Sequence, residues 1–267
     1  MIAECSIISE IAKGGQKNVF RAYHPEKGSV VIKRGNIKSI SSLERIQREI
    51  DLLSELSSPY YPAQYHFCVD MKTKEFEIVE KYIEGMVLRE CIHHFKTVPQ
   101  ILNFLLHLCD GLNIIWDKNI VHRDIKPENI ILRTNGTPCI LDLGIARFLD
   151  MESLTQTISP LGPCTPIYAA PEQLNNQKNI IDHRTDFFAL GILALELYFK
   201  FHPFDPKYVK NDNSIVENIL SNKYAIHVSN TDGSDVLMEF ARKTLRFHPF
   251  ERCRNYTILR DFLTQHI

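Results

Sequence analysis

The apolar pattern of this 267-residue chain changes after its first third. Before that point short apolar segments alternate with turns, and five of them are predicted to be β-strands: residues 6–11, 18–23, 29–33, 65–69 and 76–79. Pro25 and Gly28 mark a hairpin turn between the second and third strands. One helix is predicted among the strands, over residues 42–56, because Ile46 and Ile50 recur at helical spacing.

The remainder of the chain is predicted to be mainly helical. One apolar stripe at helical spacing consists of Ile101, Leu105, Leu108, Leu112 and Ile115. Residues 187–199 are apolar on nearly every side, which is typical of a helix at the centre of a lobe. Plain core packing explains both patterns, so they indicate structure and not function.

The two parts together predict an α+β fold with two lobes. A small β-rich lobe is expected over residues 1–80, a connection over residues 81–85, and a larger α-helical lobe over residues 86–267. A cleft is expected between the lobes.

Composition excludes several classes of protein. Hydrophobic residues make up 44% of the chain and charged residues 24%, and the net charge of −1 gives no general attraction to nucleic acid or anionic membranes. No apolar run approaches the roughly 20 residues that span a bilayer, and the first ten residues lack the basic start of a secretory signal. The seven cysteines form no C-x-x-C pair, which favours reduced thiols. We therefore expect a cytoplasmic protein without nucleic-acid or membrane partners.

The most specific motif is His-Arg-Asp-Ile-Lys-Pro-Glu-Asn at residues 122–129. Phosphoryl transfer from ATP needs a carboxylate that orients the attacking hydroxyl and accepts its proton, and an oxygen ligand for Mg²⁺ close by. Asp124 and Asn129 supply both from one short loop, in the pattern H-R-D-x-x-x-x-N. On these residues the chain resembles the eukaryotic-type serine/threonine protein kinase family, and the resemblance extends over nearly all of it.

The resemblance assigns roles to three features downstream of the loop. Asp142-Leu143-Gly144 stands where the family has D-F-G, which makes Asp142 a second Mg²⁺ ligand. Ala170-Pro171-Glu172 matches A-P-E, and its glutamate is expected to pair with Arg252. Asp186 resembles the family's buried aspartate that binds the catalytic-loop backbone, although a helix N-cap role would also fit it.

The resemblance also assigns an ion pair upstream. Val30-Val31-Ile32-Lys33 resembles V-A-I-K, so Lys33 is expected to contact the α- and β-phosphates and to pair with Glu49 of the predicted helix. Val31 replaces the usual small alanine above the adenine.

The phosphate loop is the weakest match. Residues 12–19 align with G-x-G-x-x-G-x-V, which places Ala12, Gly14, Gly15 and Val19 beside the nucleotide. Lys17 stands where the third glycine would be, so we expect weaker ATP affinity or a different loop shape, because a Cβ hinders close backbone approach to phosphates.

The connection between the lobes resembles the kinase hinge. The backbone of Tyr82 and Ile83 is expected to bind adenine, and Ile131 is expected to contact it as well. Glu80 then falls at the gatekeeper position, which is normally apolar. The alternative is an alignment that is wrong by one or two residues.

Two features concern the acceptor of the phosphate. Lys126, two residues after Asp124, and Thr165-Pro166 resemble serine/threonine kinases and not tyrosine kinases. Lys126 would touch the γ-phosphate, and Thr165 would hydrogen-bond near Asp124. The partners implied are protein substrates, with autophosphorylation in trans through a transient dimer.

A regulatory phosphate is a further expectation. By resemblance, Arg123, Arg45 and Arg147 converge on one pocket, where a phosphate of about −2 charge would pair with them. The hydroxyl residues in the appropriate stretch are Ser153, Thr155, Thr157 and Ser159. In the alternatives, Asp150 or Glu152 neutralises the arginines, or each arginine is solvated singly.

The sequence thus predicts an active serine/threonine kinase that uses ATP and Mg²⁺. The alternative is a pseudokinase that acts as a regulatory binding module. The altered glycine-rich loop, Val31 and Glu80 favour that alternative, whereas the presence of Lys33, Asp124 and Asp142 opposes it.

Overall fold

A computed structural model describes residues 4–13, 17–37, 39–56, 58–143, 147–148, 164–226 and 233–267. The chain divides into two compact units, Met1–Glu84 and Gly85–Ile267. This division falls within the connection predicted at residues 81–85.

The first unit is a five-stranded antiparallel sheet with one helix. Its elements are β1 (Ser6–Lys13), β2 (Lys17–His24), β3 (Gly28–Asn36), α1 (Ile40–Glu55), β4 (Gln64–Asp70) and β5 (Glu75–Lys81). The strands lie in the order β1-β2-β3-β5-β4. All five predicted strands and the helix are confirmed, and Gly28 has the positive φ of 73° that the predicted turn requires.

The alternation of side chains in β3 distributes its residues over two faces of the sheet. Val30 and Ile32 pack with Ala22 and Val79 on one face. The opposite face contributes Phe76 and Ile78 of β5, which form a cluster with Ile50 of α1. Since Lys33 is paired with Ile78 in the β3–β5 register, its side chain lies on the face of the sheet that carries α1.

The second unit is mainly helical. Its helices are α2 (Leu88–Cys91), α3 (Val98–Trp116), α4 (Pro171–Leu174), α5 (His183–Phe199), α6 (Pro206–Val209), α7 (Ile215–Leu220), α8 (Ser234–Thr244) and α9 (Tyr256–Gln265). Its short strands are β6 (Met86–Val87), β7 (Ile120–Val121), β8 (Ile130–Leu132), β9 (Pro138–Ile140) and β10 (Arg147–Phe148). They form a three-stranded sheet, β6-β8-β9, and a β10-β7 pair.

Helices α3 and α5 form the centre of this unit. Thr97 and Gln100 cap the start of α3 reciprocally, and the predicted apolar stripe of that helix is buried. By length and composition α3 could cross a membrane, but more than half of it is buried inside the protein. Helix α5 is buried from Thr185 to Leu197, and at Gly191 a Cβ would collide with Thr244, which explains the close approach of α5 and α8.

The fold is therefore the α+β architecture predicted from the sequence. A β-sheet with a helix forms the first unit, and a helical bundle with small strands forms the second. The loop of residues 122–129, which carries the most specific sequence motif, lies entirely in the second unit, between β7 and β8.

Candidate active site

Helix α5 anchors the backbone of the loop that begins at His122. The carboxylate of Asp186 accepts hydrogen bonds from the backbone N–H of His122 (2.9 Å) and of Arg123 (2.8 Å), and from the Trp116 indole (2.8 Å). Burial raises the pKa of Asp186, while nearby His122 and these donors oppose that shift. Arg123 has a left-handed φ of 70°, a strained conformation that the hydrogen bonds to Asp186 hold in place.

The predicted backbone role of Asp186 is confirmed, whereas the N-cap alternative for it is wrong. Helix α5 begins at His183, and its N-cap is Asp182, whose carboxylate accepts from the Arg184 N–H at 2.8 Å. Asp186 lies one turn further in, where its side chain points to the loop and not to the helix terminus.

The carboxylate of Asp124 is fixed by three side chains. Its Oδ1 accepts from the Thr165 hydroxyl at 2.7 Å. Its Oδ2 accepts from the Lys126 Nζ at 2.8 Å and from the Asn129 amide at 2.9 Å. Lys126 also donates to the Thr165 hydroxyl oxygen at 2.6 Å. The predicted contact between Thr165 and Asp124 is confirmed, and Lys126, Thr165 and the Asp124 carboxylate form a closed cycle of hydrogen bonds.

Asn129 connects the loop to the segment that carries Asp142. Its amide nitrogen also donates to the Asp124 carbonyl at 2.9 Å. Its backbone carbonyl accepts from the Leu141 N–H at 2.8 Å, and the His122 ring lies 3.3 Å from the Leu141 carbonyl. Asp142 follows with a left-handed φ of 60°. These bonds place the two predicted Mg²⁺ ligands on directly bonded segments.

The segment after Thr165 is tied to the C-terminal helices. Glu172 forms two hydrogen bonds of 2.7 Å with the guanidinium of Arg252, which confirms the predicted pair. The next residue, Gln173, donates to the Arg123 carbonyl at 2.9 Å and so binds the catalytic loop directly. Sequence reasoning missed Gln173, whose only signal was its position after Ala-Pro-Glu.

Lys33 lies in the first unit, where it is paired with Glu80. Its Nζ lies 2.9 Å from Oε1 and 2.8 Å from Oε2 of Glu80, and both side chains are buried. The side chain of Glu49 lies outside the described residues, so the Lys33–Glu49 pair stays a prediction.

The remaining predicted nucleotide contacts that the structure describes are distributed over four strands and the connection. Ala12 pairs with Val19 across β1 and β2, and Val31 pairs with Glu80 across β3 and β5. Ile131 lies in β8, paired with Cys139 of β9. Their contacts with a nucleotide stay predictions.

Part of the backbone of the predicted connection at residues 81–85 is hydrogen-bonded within the protein. The Tyr82 N–H donates to the Ser29 carbonyl at 3.1 Å, and the Arg21 guanidinium lies 4.4 Å from the centre of the Tyr82 ring. Ile83 is buried. The Tyr82 carbonyl and the Ile83 backbone are therefore the groups through which the predicted adenine contact would run.

Several predicted residues lie outside the described part of the chain. They are Gly14, Gly15 and Gly144, the hydroxyl residues Ser153, Thr155, Thr157 and Ser159, and the side chains of Arg45 and Arg147. The predicted phosphate switch stays a prediction.

Comparison with known proteins decides the family. The protein kinase domain family matches residues 5–263. The chain belongs to the protein kinase family. The order and spacing of the kinase motifs in the sequence agree with that assignment.

Curated kinases similar to this chain include proteins from bacteria, a plant and Dictyostelium discoideum. It is 29% identical over 210 residues to the probable serine/threonine-protein kinase PknB of Lactococcus lactis, which covers 74% of this chain and 32% of that protein. It is 29% identical over 265 residues to the serine/threonine-protein kinase ATG1b of Arabidopsis thaliana, which covers 94% of this chain and 35% of that protein. The chain thus spans about a third of the length of these relatives.

One polar network of this kinase, centred on the buried Glu196, was not predicted. Glu196 of α5 accepts from the Tyr168 hydroxyl and from Arg89 of α2, both at 2.6 Å. Arg89 also donates to Glu128 of the catalytic loop at 2.7 Å. Burial and the charge of Glu196 raise the pKa of Tyr168, so its hydroxyl remains a donor. The network links α2, α5 and the segment before Glu172.

Proposed function

We propose that this kinase domain transfers the γ-phosphate of ATP to serine and threonine hydroxyls of protein substrates, and that it phosphorylates itself. The arrangement around Asp124 carries the proposal, because Lys126, Asn129 and Thr165 all hydrogen-bond its carboxylate. A binding module has no need of a carboxylate fixed in this way. The family match supports the same conclusion.

Asp124 would act on the acceptor hydroxyl. Its two oxygens are held by donors from different elements, so the carboxylate cannot rotate freely. A substrate hydroxyl that donates to Asp124 is aligned for attack on the γ-phosphorus. Its proton passes to the carboxylate as the new O–P bond forms, the bond from the γ-phosphorus to the β–γ bridging oxygen breaks, and ADP leaves.

Lys126 would supply positive charge beside the transferred phosphoryl group. Two of its three N–H groups are accounted for by Asp124 and Thr165. The third is available to a phosphate oxygen, where an ammonium stabilises the negative charge of the transition state.

Asn129 and Asp142 fit Mg²⁺ by the chemistry of their donor atoms. The side-chain amide nitrogen of Asn129 donates to Asp124, so the side-chain oxygen Oδ1 is the atom that would ligate a metal. A carboxylate oxygen of Asp142 completes a set of hard oxygen ligands, which Mg²⁺ prefers. Bound there, Mg²⁺ would neutralise phosphate charge.

Serine and threonine are proposed as acceptors on two grounds. Lys126 and Thr165 occupy the positions typical of serine/threonine kinases, and they contact each other and Asp124. The similar kinases of Lactococcus lactis and Arabidopsis thaliana carry serine/threonine-protein kinase in their names.

The proposal includes a cytoplasmic location and a transient dimer for autophosphorylation in trans. All seven cysteines are free thiols, which suits a reducing compartment. The net charge of −1 supports protein substrates and not nucleic acid as partners.

Phosphoamino-acid analysis tests this function. The purified domain is incubated with γ-labelled ATP, Mg²⁺ and myelin basic protein, and the acid hydrolysate is separated. We expect label in phosphoserine and phosphothreonine, and none when EDTA replaces Mg²⁺. Label in phosphotyrosine alone would refute the acceptor assignment, and no incorporation would favour the pseudokinase alternative.

A further inference from the structure

We propose that Glu80 is a positioning residue that holds Lys33 for the nucleotide phosphates. The role rests on the proposed kinase function, and it is distinct from the predicted role of Glu49. Its basis is the contact of the Lys33 ammonium with both carboxylate oxygens of Glu80, at 2.9 and 2.8 Å.

The sheet geometry fixes this pair. Lys33 is paired with Ile78 in the register of β3 and β5, and Glu80 is paired with Val31. Lys33 and Glu80 are therefore diagonal neighbours on one face of adjacent strands, a spacing that long side chains bridge readily. The hydrogen-bonded ladder of the sheet sets the distance between their backbones, so the pair does not depend on where helix α1 lies.

Both members of the Lys33–Glu80 pair are buried, which strengthens the interaction between their charges. Glu80 is 3% exposed and Lys33 is 7% exposed. Charges interact strongly at a site shielded from water, so the contact between the Lys33 ammonium and the Glu80 carboxylate restrains both side chains.

The pair also limits where the ammonium can go. Lys33 carries a flexible side chain with three donors. With its nitrogen held against Glu80, the position of the ammonium is preset before a nucleotide arrives. Preset donors cost no reorganisation during phosphoryl transfer, and small misplacements of such groups lower rates strongly.

The test compares variants at Glu80 with a matched control on the same two strands. Glu77 of β5 pairs with Arg34 of β3, and its side chain is 26% exposed. Glu80→Gln and Glu77→Gln remove the same charge with nearly the same shape. We measure kcat and KM for MgATP with myelin basic protein, and thermal unfolding of each variant.

We expect Glu80→Gln to lower kcat/KM for MgATP by about tenfold or more, and Glu77→Gln to stay within about twofold of the wild type. Glu80→Asp keeps the charge and should recover part of the loss. Activity of Glu80→Gln at or above the wild-type level would overturn the proposal, since it would make the pair merely structural or inhibitory.

Two readouts work without turnover and so separate this proposal from the proposed function. Fluorescent mant-ATP should bind Glu80→Gln about fivefold or more weakly than the wild type. A short acetic anhydride pulse should acetylate Lys33 faster in Glu80→Gln than in Glu77→Gln, because the amine loses its contact with the Glu80 carboxylate. An inactive wild type that still shows both effects would refute the function alone. Equal binding and equal acetylation, or a wild type that binds no mant-ATP, would overturn the role of Glu80.

Discussion

Glu172 and Arg252 form a bidentate ion pair in the core of the helical unit. Two hydrogen bonds of 2.7 Å join the carboxylate to the guanidinium, and the two side chains are 1% and 0% exposed. Thr185 adds a third donor to Glu172 at 2.8 Å. The pair holds the segment that follows Thr165 against the C-terminal part of the chain.

Breaking this pair should destabilise the protein strongly. Arg252→Met leaves the Glu172 carboxylate buried without its partner, which costs about 3–5 kcal/mol. Denaturant unfolding followed by circular dichroism measures the loss. The control is Arg260→Met, because the pair of Arg260 with Asp110 lies nearer the surface and should contribute far less to stability. Equal stability of the two variants would contradict the structural role of Arg252.

The hydroxyl of Thr165 should matter for turnover. Thr165→Val removes a group that donates to Asp124 and accepts from Lys126, so both side chains lose a constraint. We expect kcat to fall by about tenfold or more with little change in KM for ATP. Thr165→Ser keeps the hydroxyl and should retain most of the activity. Steady-state kinetics of the three proteins decides the point, and a fully active Thr165→Val would refute it.

Asp186 should support both fold and rate. In Asp186→Asn an amide N–H₂ replaces one of the two acceptor oxygens. At least one of the donors Trp116, His122 and Arg123 then loses its acceptor. The expected loss of stability is about 1–3 kcal/mol. We also expect lower kcat, because the backbone of the catalytic loop loses its anchor. Unfolding and kinetics at a temperature where the variant is folded measure both effects; wild-type stability would contradict the account.

Cys164, next to Thr165, should react slowly with alkylating reagents near neutral pH. Burial raises the pKa of its thiol to about 11, with a further contribution from Asp124. Because the pKa of Cys164 is higher in the folded protein than in the unfolded chain, folding favours the neutral thiol. The stability that the neutral thiol contributes is lost as the pH rises through about 11. At pH 8 the thiolate fraction is then roughly a hundredfold below that of an ordinary thiol.

Iodoacetamide labelling with mass spectrometry measures this reactivity. Between pH 9 and pH 10 the rate at Cys164 should rise about ninefold, whereas a thiol of ordinary pKa nears its plateau there. A synthetic peptide of residues 161–168 is the control. Equal pH profiles in the folded protein and in the peptide would show that burial does not protect the thiol.

Local patterns predicted the elements and the catalytic loop well. The strands follow from alternation and the turn at Gly28, and helix α3 follows from its apolar stripe. Asp124 and Asn129 are five residues apart in one short loop, so their proximity required no knowledge of the tertiary structure. Sequence spacing is sufficient when both partners lie in the same turn of chain.

Contacts between distant segments were harder to predict. Lys33 and Glu80 are separated by 47 positions, and their pairing depends on the register of β3 and β5, which periodicity does not set. The N-cap of α5 is Asp182 and not Asp186, because the helix begins at His183, one turn before Asp186. Arg89 and Glu196 are 107 positions apart in the sequence, and only the tertiary packing of the chain brings them within hydrogen-bond distance.

The transfer of label from γ-labelled ATP to protein, with wild type and Asp142→Asn compared side by side, tests the central claim most directly. Asp142→Asn removes a proposed Mg²⁺ ligand and conserves side-chain shape, so circular dichroism and thermal unfolding should match the wild type. We expect Mg²⁺-dependent phosphorylation of serine and threonine by the wild type, and a loss of about a hundredfold or more in the variant. Equal incorporation by both proteins, or none by the wild type, would contradict the claim that this domain is an active kinase.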